Sequence, residues 1–254
     1  MVMMSHGRLK PKALIALQGI DGLNEIRFDA QNGLTIGATA HLADVASHPD
    51  VLNHYPALPT AILHMANVEV RNMGTVAGNL CNAAPSADTA PPLITMEAKV
   101  TLLSLNGERQ LPLDEFFRGP GLTALEKGEI LTAIHVPPPP PGSGASYKRI
   151  SARCGVDIAA GGVGVMGVFD GETFKQARIV LGAVAPIPMR ATKTEALLQG
   201  QAWSQELALK AGAKAAEEAK PISDVRASAE WRKKMVAVLT TRALEEAYER
   251  AKRR

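Results

Sequence analysis

Five consecutive prolines, Pro137 to Pro141, followed by Gly142-Ser143-Gly144, set the strongest limit on how this chain can fold. Proline lacks a backbone N–H and fixes φ, so neither a helix nor a central strand can run through such a segment. The run reads as a stiff polyproline spacer with a flexible Gly-Ser-Gly hinge after it. It divides the 254 residues into two expected domains, 1–141 and 146–254. A chain of this length has ample core for two modest units.

In the first part, Leu14–Leu17 and Gly33–Ala38 are short apolar runs bounded by turn residues, and both read as strands. Helices are predicted at Leu42–Ser47, opened by Thr39 as cap, at Ala57–Met65 and at Pro91–Ala98. Lys99–Ser104, an Asn106-Gly107 turn and Glu108–Leu113 form a hairpin, because Asn-Gly favours a type I′ turn. In the second part, Tyr147–Ile150, Ile158–Val168 and Ala177–Ala183 read as strands, with Asp170-Gly171 turning the chain. The last third is helical, Ser204–Lys220 and then about Ala227–Lys252. On the final helix Trp231, Met235, Val238, Leu239, Ala243 and Ala247 form an apolar stripe suited to core packing.

The chemistry is concentrated in Arg71–Asp88, which runs Arg-Asn-Met-Gly-Thr-Val-Ala-Gly-Asn-Leu-Cys-Asn-Ala-Ala-Pro-Ser-Ala-Asp. Gly74 and Gly78 allow close backbone approach, so main-chain N–H groups can wrap a polyphosphate. Thr75, Asn79 and Asn82 add side-chain donors, and Asp88 is placed to cap a helix carrying Pro91-Pro92 in its first turn. These residues alone describe an anion- or cofactor-cradling loop, with a plain structural loop as the alternative.

Other chemistries find little support. Gly162-Val163-Gly164-Val165-Met166-Gly167 matches a dinucleotide GxGxxG, but Asp170-Gly171 turns the chain where the helix should run, so the segment reads as a Gly-rich strand. The six histidines (6, 41, 48, 54, 64 and 135) have no metal-ligand spacing, and Cys81 and Cys154 have no CxxC partner. A structural disulfide, a zinc site and an iron–sulfur cluster are therefore unsupported, and Cys81 reads as a packing residue. No GxSxG elbow or Ser/His/Asp order is present. Aromatic residues make up 4%, too few for a base-stacking platform, and a net charge of +3, much of it in Arg250–Arg254, argues against nucleic-acid binding. No apolar run reaches membrane-spanning length and Met1–His6 lacks a signal-peptide pattern, so a cytoplasmic location is expected.

Arg-Asn-x-Gly-Thr-x-x-Gly-Asn-Leu followed by Ala-x-Pro-x-x-Asp resembles the second flavin loop of the FAD-binding medium subunit of molybdenum hydroxylases, the family of xanthine and carbon monoxide dehydrogenases. The likeness extends over Ile36–Thr39, Glu129–Leu131, Tyr147-Lys148, Gly182–Ala191 and Asp224–Arg232. It implies an α+β fold: a vanillyl-alcohol-oxidase/PCMH-type FAD domain, then a small antiparallel sheet with a helical C-terminal domain. FAD would be held by Gly74, Thr75, Gly78, Asn79, Cys81, Asn82 and Asp88, with Ala66 in the turn before the loop. Ile130, Leu131 and Lys148 would wall the isoalloxazine ring. Such a wall needs no acid–base residue, so no catalytic side chain and no metal ligand is expected.

The resemblance also implies partners: a large molybdopterin-binding subunit and a small [2Fe–2S] subunit, in a heterotrimer or a dimer of heterotrimers. Electrons would pass from the clusters through flavin to NAD or another acceptor. Two departures stand out. Ala77 replaces a usual glycine, and the family's first phosphate loop, Ala-Gly-Gly-Thr-Asp-Leu, has no match ahead of Met3–Pro11, so the first domain is expected to be shortened at its start. Two alternatives follow: a flavin-free scaffold subunit of the same complex, or a free-standing FAD oxidoreductase of the same fold.

Overall fold

A computed structural model of the chain describes residues 4, 7, 10–153 and 156–253. Most of the Met3–Pro11 segment, His6 and Cys154 lie outside these residues.

The first sheet has the order β1-β2-β7-β3-β4, from Ile26–Asp29, Gly33–Gly37, Lys99–Ser104 (β3), Gly107–Pro112 (β4) and Ile130–Val136 (β7), and every pairing is antiparallel. A two-stranded ribbon, β5 (Phe117–Gly119) with β6 (Leu122–Thr123), lies in the connection to β7. Short helices belong to this half: α1 (Leu42–Ser47), α2 (Pro49–His54), α3 (Ala57–His64), α4 (Val68–Arg71), α5 (Val76–Cys81), α6 (Ala90–Thr95) and α7 (Leu113–Phe116); α5 and α7 pack on this sheet, whereas α3 and α6 reach the second one. The second sheet, order β11-β10-β9-β8, uses β8 (Ser143–Ser151), β9 (Ala159–Asp170), β10 (Thr173–Gly182) and β11 (Met189–Arg190). Helices α8 (Thr192–Leu198), α9 (Gln205–Glu218) and α10 (Ala229–Lys252) follow. The chain is therefore α+β with two small antiparallel sheets, as expected.

All but the last of the twelve residues of β9 are buried. This strand is sandwiched, with α6 packed on it from one side and α10 from the other, so it reads as a continuous apolar run rather than an alternating one. Its glycines mark close approaches. A Cβ on Gly164 would lie 2.8 Å from the Pro91 carbonyl carbon, and one on Gly162 2.6 Å from the Tyr147 hydroxyl. The GxGxxG match is thus packing of a strand under Pro91 and Tyr147.

The proline run is tied down at its start. The Tyr55 hydroxyl donates to Pro137 O at 3.1 Å, and Ser143 N donates to Pro140 O. The expected Gly-Ser-Gly hinge is not flexible coil: Ser143 and Gly144 open β8 and are buried, with Gly144 against the backbone of α10. A glycine run reads as a hinge when no partner is in view; here the absent Cβ lets a helix reach the strand.

Several local expectations are corrected. Leu14–Leu17 forms no strand, and Leu14 and Ile15 are exposed. The cap of α1 is His41, not Thr39, whose N–H instead bonds Leu23 O. The β3–β4 turn is centred on Leu105-Asn106, one residue early, and neither has the positive φ of a type I′ turn. On α10, Trp231 and Val238 are exposed, while Arg232, Val236, Leu244 and Tyr248 join Leu239, Ala243 and Ala247 inside. Arg250 is not simply solvated, because it donates to Ala145 O on β8 and pairs with Glu246.

Arg232, 3% exposed, could not be placed inside by an apolar count. It donates to the carbonyls of Ala160 and Ala183 and to Asp224, stitching α10 to the ends of β9 and β10. The Arg226 amide, with the Arg232 and Arg226 guanidiniums, holds the Asp224 carboxyl down at about 2. A depressed folded value means stability that is present above the ordinary 3.8 and lost as pH falls to about 2. Asp224→Asn is therefore expected to lower the urea midpoint at neutral pH, with the two proteins converging in strong acid. Midpoints measured across the acid range check this.

Candidate functional site

The loop singled out in the sequence folds as α5 with a built N-terminus. Thr75 is its cap, accepting from Gly78 N through Oγ1 at 2.9 Å. Val76 and Ala77, next in the first turn, are buried, and Val76 lies beside the antiparallel bridge between Thr75 and His41. Gly78 is exposed, and a Cβ there would crowd Thr75 Oγ1 at 3.0 Å. Gly74 is needed because a Cβ would sit 3.0 Å from Val70 O and 3.2 Å from a Leu42 methyl. Gly74 O accepts from Leu42 N, and Thr75 bridges His41, which joins the loop to the start of α1.

Asn79 Oδ1 accepts from Thr89 Oγ1 at 2.7 Å, leaving its amide NH₂ available. Asn82 is exposed. Cys81 is half-buried against the first core, and burial pushes its thiol up to about 11. Its thiol is therefore held in the neutral form. Before the loop, Ala66 has φ of 54°, a strained value for a non-glycine residue. Arg71 holds that turn by donating to Met65 O and Ala66 O, both at 2.9 Å.

Asp88 does something other than the expected capping. Thr89 occupies the cap of α6, and Asp88 points inward, 6% exposed. Tyr147 donates to its Oδ1 at 2.6 Å, and the Arg149 guanidinium lies 3.3 Å away. Burial raises the Asp88 carboxyl above its ordinary value, and Arg149 and the Tyr147 hydrogen bond oppose that rise. Tyr147 is pushed well above 10 by burial, then by Asp88, so it stays protonated as a donor. Arg149 also donates to His64 O at the end of α3 and to Asp157 O at 2.8 Å. One guanidinium thus fastens three segments around an open cleft of about 410 Å³ between the α3–α4 connection and the end of β8. Its Nε is buried without a hydrogen bond.

Side chains alternate along β8. Tyr147 and Arg149 face Asp88, whereas Ser146 and Lys148 face α10, where Lys148 Nζ pairs with Glu246 at 2.9 Å. The structure therefore joins Asp88 to Tyr147 and Arg149, and turns Lys148 away from them. Ile130 and Leu131 open β7, opposite Leu103 and Leu102, and α5 packs on this strand. Leu131 is buried and Ile130 is 38% exposed. Thr89, Tyr147 and Arg149 were not foreseen as site residues; their signal was the i, i+2 spacing that puts a tyrosine and an arginine on one strand face.

A capped helix start with an available Asn79 amide, a neutral thiol and small exposed residues such as Gly78 suit a flavin nucleotide, which needs donors at its phosphates and no charge at its ring. Among the described residues no cluster of metal-ligating side chains occurs, and no helix is long and apolar enough to cross a membrane.

Residues 1–139 match the model of the FAD binding domain in molybdopterin dehydrogenase, and residues 145–247 match that of the CO dehydrogenase flavoprotein C-terminal domain. The chain is 32% identical over 248 residues to the carbon monoxide dehydrogenase medium chain of Hydrogenophaga pseudoflava, covering 98% of this chain and 86% of that one. A putative xanthine dehydrogenase FAD-binding subunit of Escherichia coli is 29% identical over 97% of this chain and 85% of its own length. Among solved structures, the Hydrogenophaga pseudoflava carbon monoxide dehydrogenase superposes with a TM-score of 0.93 at 33% identity, covering 98% of this chain and 86% of that one. Quinoline 2-oxidoreductase from Pseudomonas putida gives 0.92 at 28% identity, covering 98% and 86%. The chain belongs to the FAD-binding medium subunits of the molybdenum hydroxylases, the oxidoreductase family of xanthine and carbon monoxide dehydrogenases.

Proposed function

We propose that this chain is the electron-transfer subunit of a cytoplasmic molybdenum hydroxylase, taking electrons from [2Fe–2S] clusters in a small partner and passing them to NAD or another acceptor. A large molybdopterin-binding partner would oxidise the substrate. The observation that carries the reading is the Thr75-capped α5, whose Asn79 amide is available, followed by Asp88, which β8 engages through Tyr147 and Arg149.

In this reading Gly74, Thr75, Gly78, Asn79 and Asn82 receive the phosphates. Ala66, Cys81, Asp88, Ile130 and Leu131 shape the rest of the cradle, and Tyr147 and Arg149 join the set. Lys148, paired with Glu246, supports β8 from the α10 side. When bound, FAD supplies the ability to accept and release electrons singly or in pairs, which links one-electron clusters to a two-electron acceptor. The chain's own residues orient the cofactor and move no proton.

Two experiments bear on this. Anaerobic mixing of the FAD-loaded chain with its reduced [2Fe–2S] partner is expected to bleach the flavin band; an unchanged band contradicts electron transfer. Asn79→Asp keeps the acceptor for Thr89 but adds a carboxylate beside the phosphates. Unit charges about 4 Å apart interact by roughly 4 kcal/mol near a protein surface, so FAD affinity is expected to fall at least about tenfold. An unchanged flavin-to-protein ratio after gel filtration would refute the placement.

A further inference from the structure

The connection from α9 to α10 is held rigidly. Lys220 N donates to Val184 O, Asp224 N to Ala227 O, Arg226 N to Asp224 Oδ1, and Ala229 N to Ser223 Oγ at 2.8 Å. From this fixed turn Ile222 and Val225 project into solvent, 70% and 100% exposed. Beneath lies a cleft of about 370 Å³ with walls from Pro85, Pro120, Ile158 and Pro186. Its polar end carries three cations, Lys220, Arg226 and Arg232, against one carboxylate, Asp224. Arg232 Nε is buried there without a hydrogen-bond partner.

Single exposed apolar residues need no explanation. These stand at the mouth of a cleft with excess positive charge, on a loop that loses little freedom when covered. Apolar residues beside arginine are the composition of a protein interface core, and three cations sharing the single carboxylate of Asp224 leave a positive excess that an acidic residue from outside the chain would balance. The cleft wall is also the flavin loop: Pro85 and Ser86 line it, and Pro85 O accepts from Ala183 N at 2.8 Å.

We propose that this cleft and turn form the docking site for the electron-donating partner subunit, receiving an acidic residue flanked by an apolar one. The proposal rests on the electron-transfer reading, because a donor of electrons to the flavin must seat beside the flavin loop.

The test uses the chain co-expressed with its [2Fe–2S] and molybdopterin partners, with Val225→Asp, Arg226→Gln and, as a surface control, Leu105→Asp at the β3–β4 tip. Val225→Asp is expected to weaken partner association at least tenfold by gel filtration and interferometry. Arg226→Gln is expected to weaken it several-fold, and Leu105→Asp not at all. FAD per chain should stay at the wild-type value in all three, and the melting temperature in Val225→Asp and Leu105→Asp.

Variants that assemble like wild type overturn the docking site, and if they still carry FAD the flavin reading survives. A wild-type chain that assembles without FAD, while Val225→Asp fails to assemble, supports the docking site and removes the flavin reading. Benzoate raising the melting temperature of wild type but not of Arg226→Gln, with assembly unaffected, assigns the cleft to small organic acids and overturns the proposal.

Discussion

Arg149→Met is expected to destabilise the protein by about 3–5 kcal/mol, the usual cost of leaving a buried charge without its partner, and to strip it of FAD. Methionine keeps much of the apolar stem, so the loss is one of charge and donors rather than of volume. Asp88, only 6% exposed, would keep the Tyr147 hydrogen bond but lose its cation. The carbonyls of His64 and Asp157 would lose a donor as well. At roughly 2–4 °C per kcal/mol for a chain of this size, the melting temperature should drop by about 10 °C.

The pH dependence has a definite sign. Burial raises the folded Asp88 value above 3.8, so its contribution to stability is complete below 3.8 and is lost as pH rises through the folded value. Arg149 opposes that rise, and removing it pushes the folded value further up. The gap between variant and wild type should therefore be small in strong acid and widen toward neutrality. A melting temperature within a degree or two of wild type at neutral pH, with full FAD, would remove Arg149 from the site.

Gly144→Ala is expected to cost at least about 3 kcal/mol, the upper range for overpacking. The new Cβ would meet Ala247 O at 1.9 Å and Ala251 N at 2.7 Å, both backbone atoms of α10, so no side-chain rotation relieves it. The strand and helix must separate. Because β8 also carries Tyr147 and Arg149, the FAD content should fall along with stability. Gly119→Ala is the control, since its Cβ would meet only the Leu122 side chain, no nearer than 3.5 Å, and should be nearly neutral. Equal denaturation midpoints for the two variants would contradict the close packing of β8 on α10.

What was legible in the sequence was local. Ser204 caps α9 at the expected place, the β3–β4 hairpin forms, and Gly162–Gly167 is a strand because Asp170-Gly171 could only turn it back. Thr75 and Asn79 could be singled out because the loop carries its donors within a few residues of one another. Asp88 was placed in the right loop but given the wrong local task. Its real partners lie on β8, about sixty residues on, and although Tyr147 and Arg149 share a strand face, nothing near residue 88 announces that they meet it. Arg232 escaped for a related reason: an apolar stripe counts side chains, whereas this arginine is inside because Ala160 O, Ala183 O and Asp224 supply every partner it needs but one. The Gly-Ser-Gly segment misled because glycine serves both freedom and close contact, and only the position of α10 decides between them.

The most direct measurement is the absorbance spectrum of the purified chain, followed by quantification of the flavin released on denaturation, for wild type and Arg149→Met side by side. The predicted result is FAD at about one per chain in wild type and little or none in the variant. A folded wild-type chain that is colourless and stays so after incubation with FAD would contradict the flavin site built from α5, Asp88 and β8.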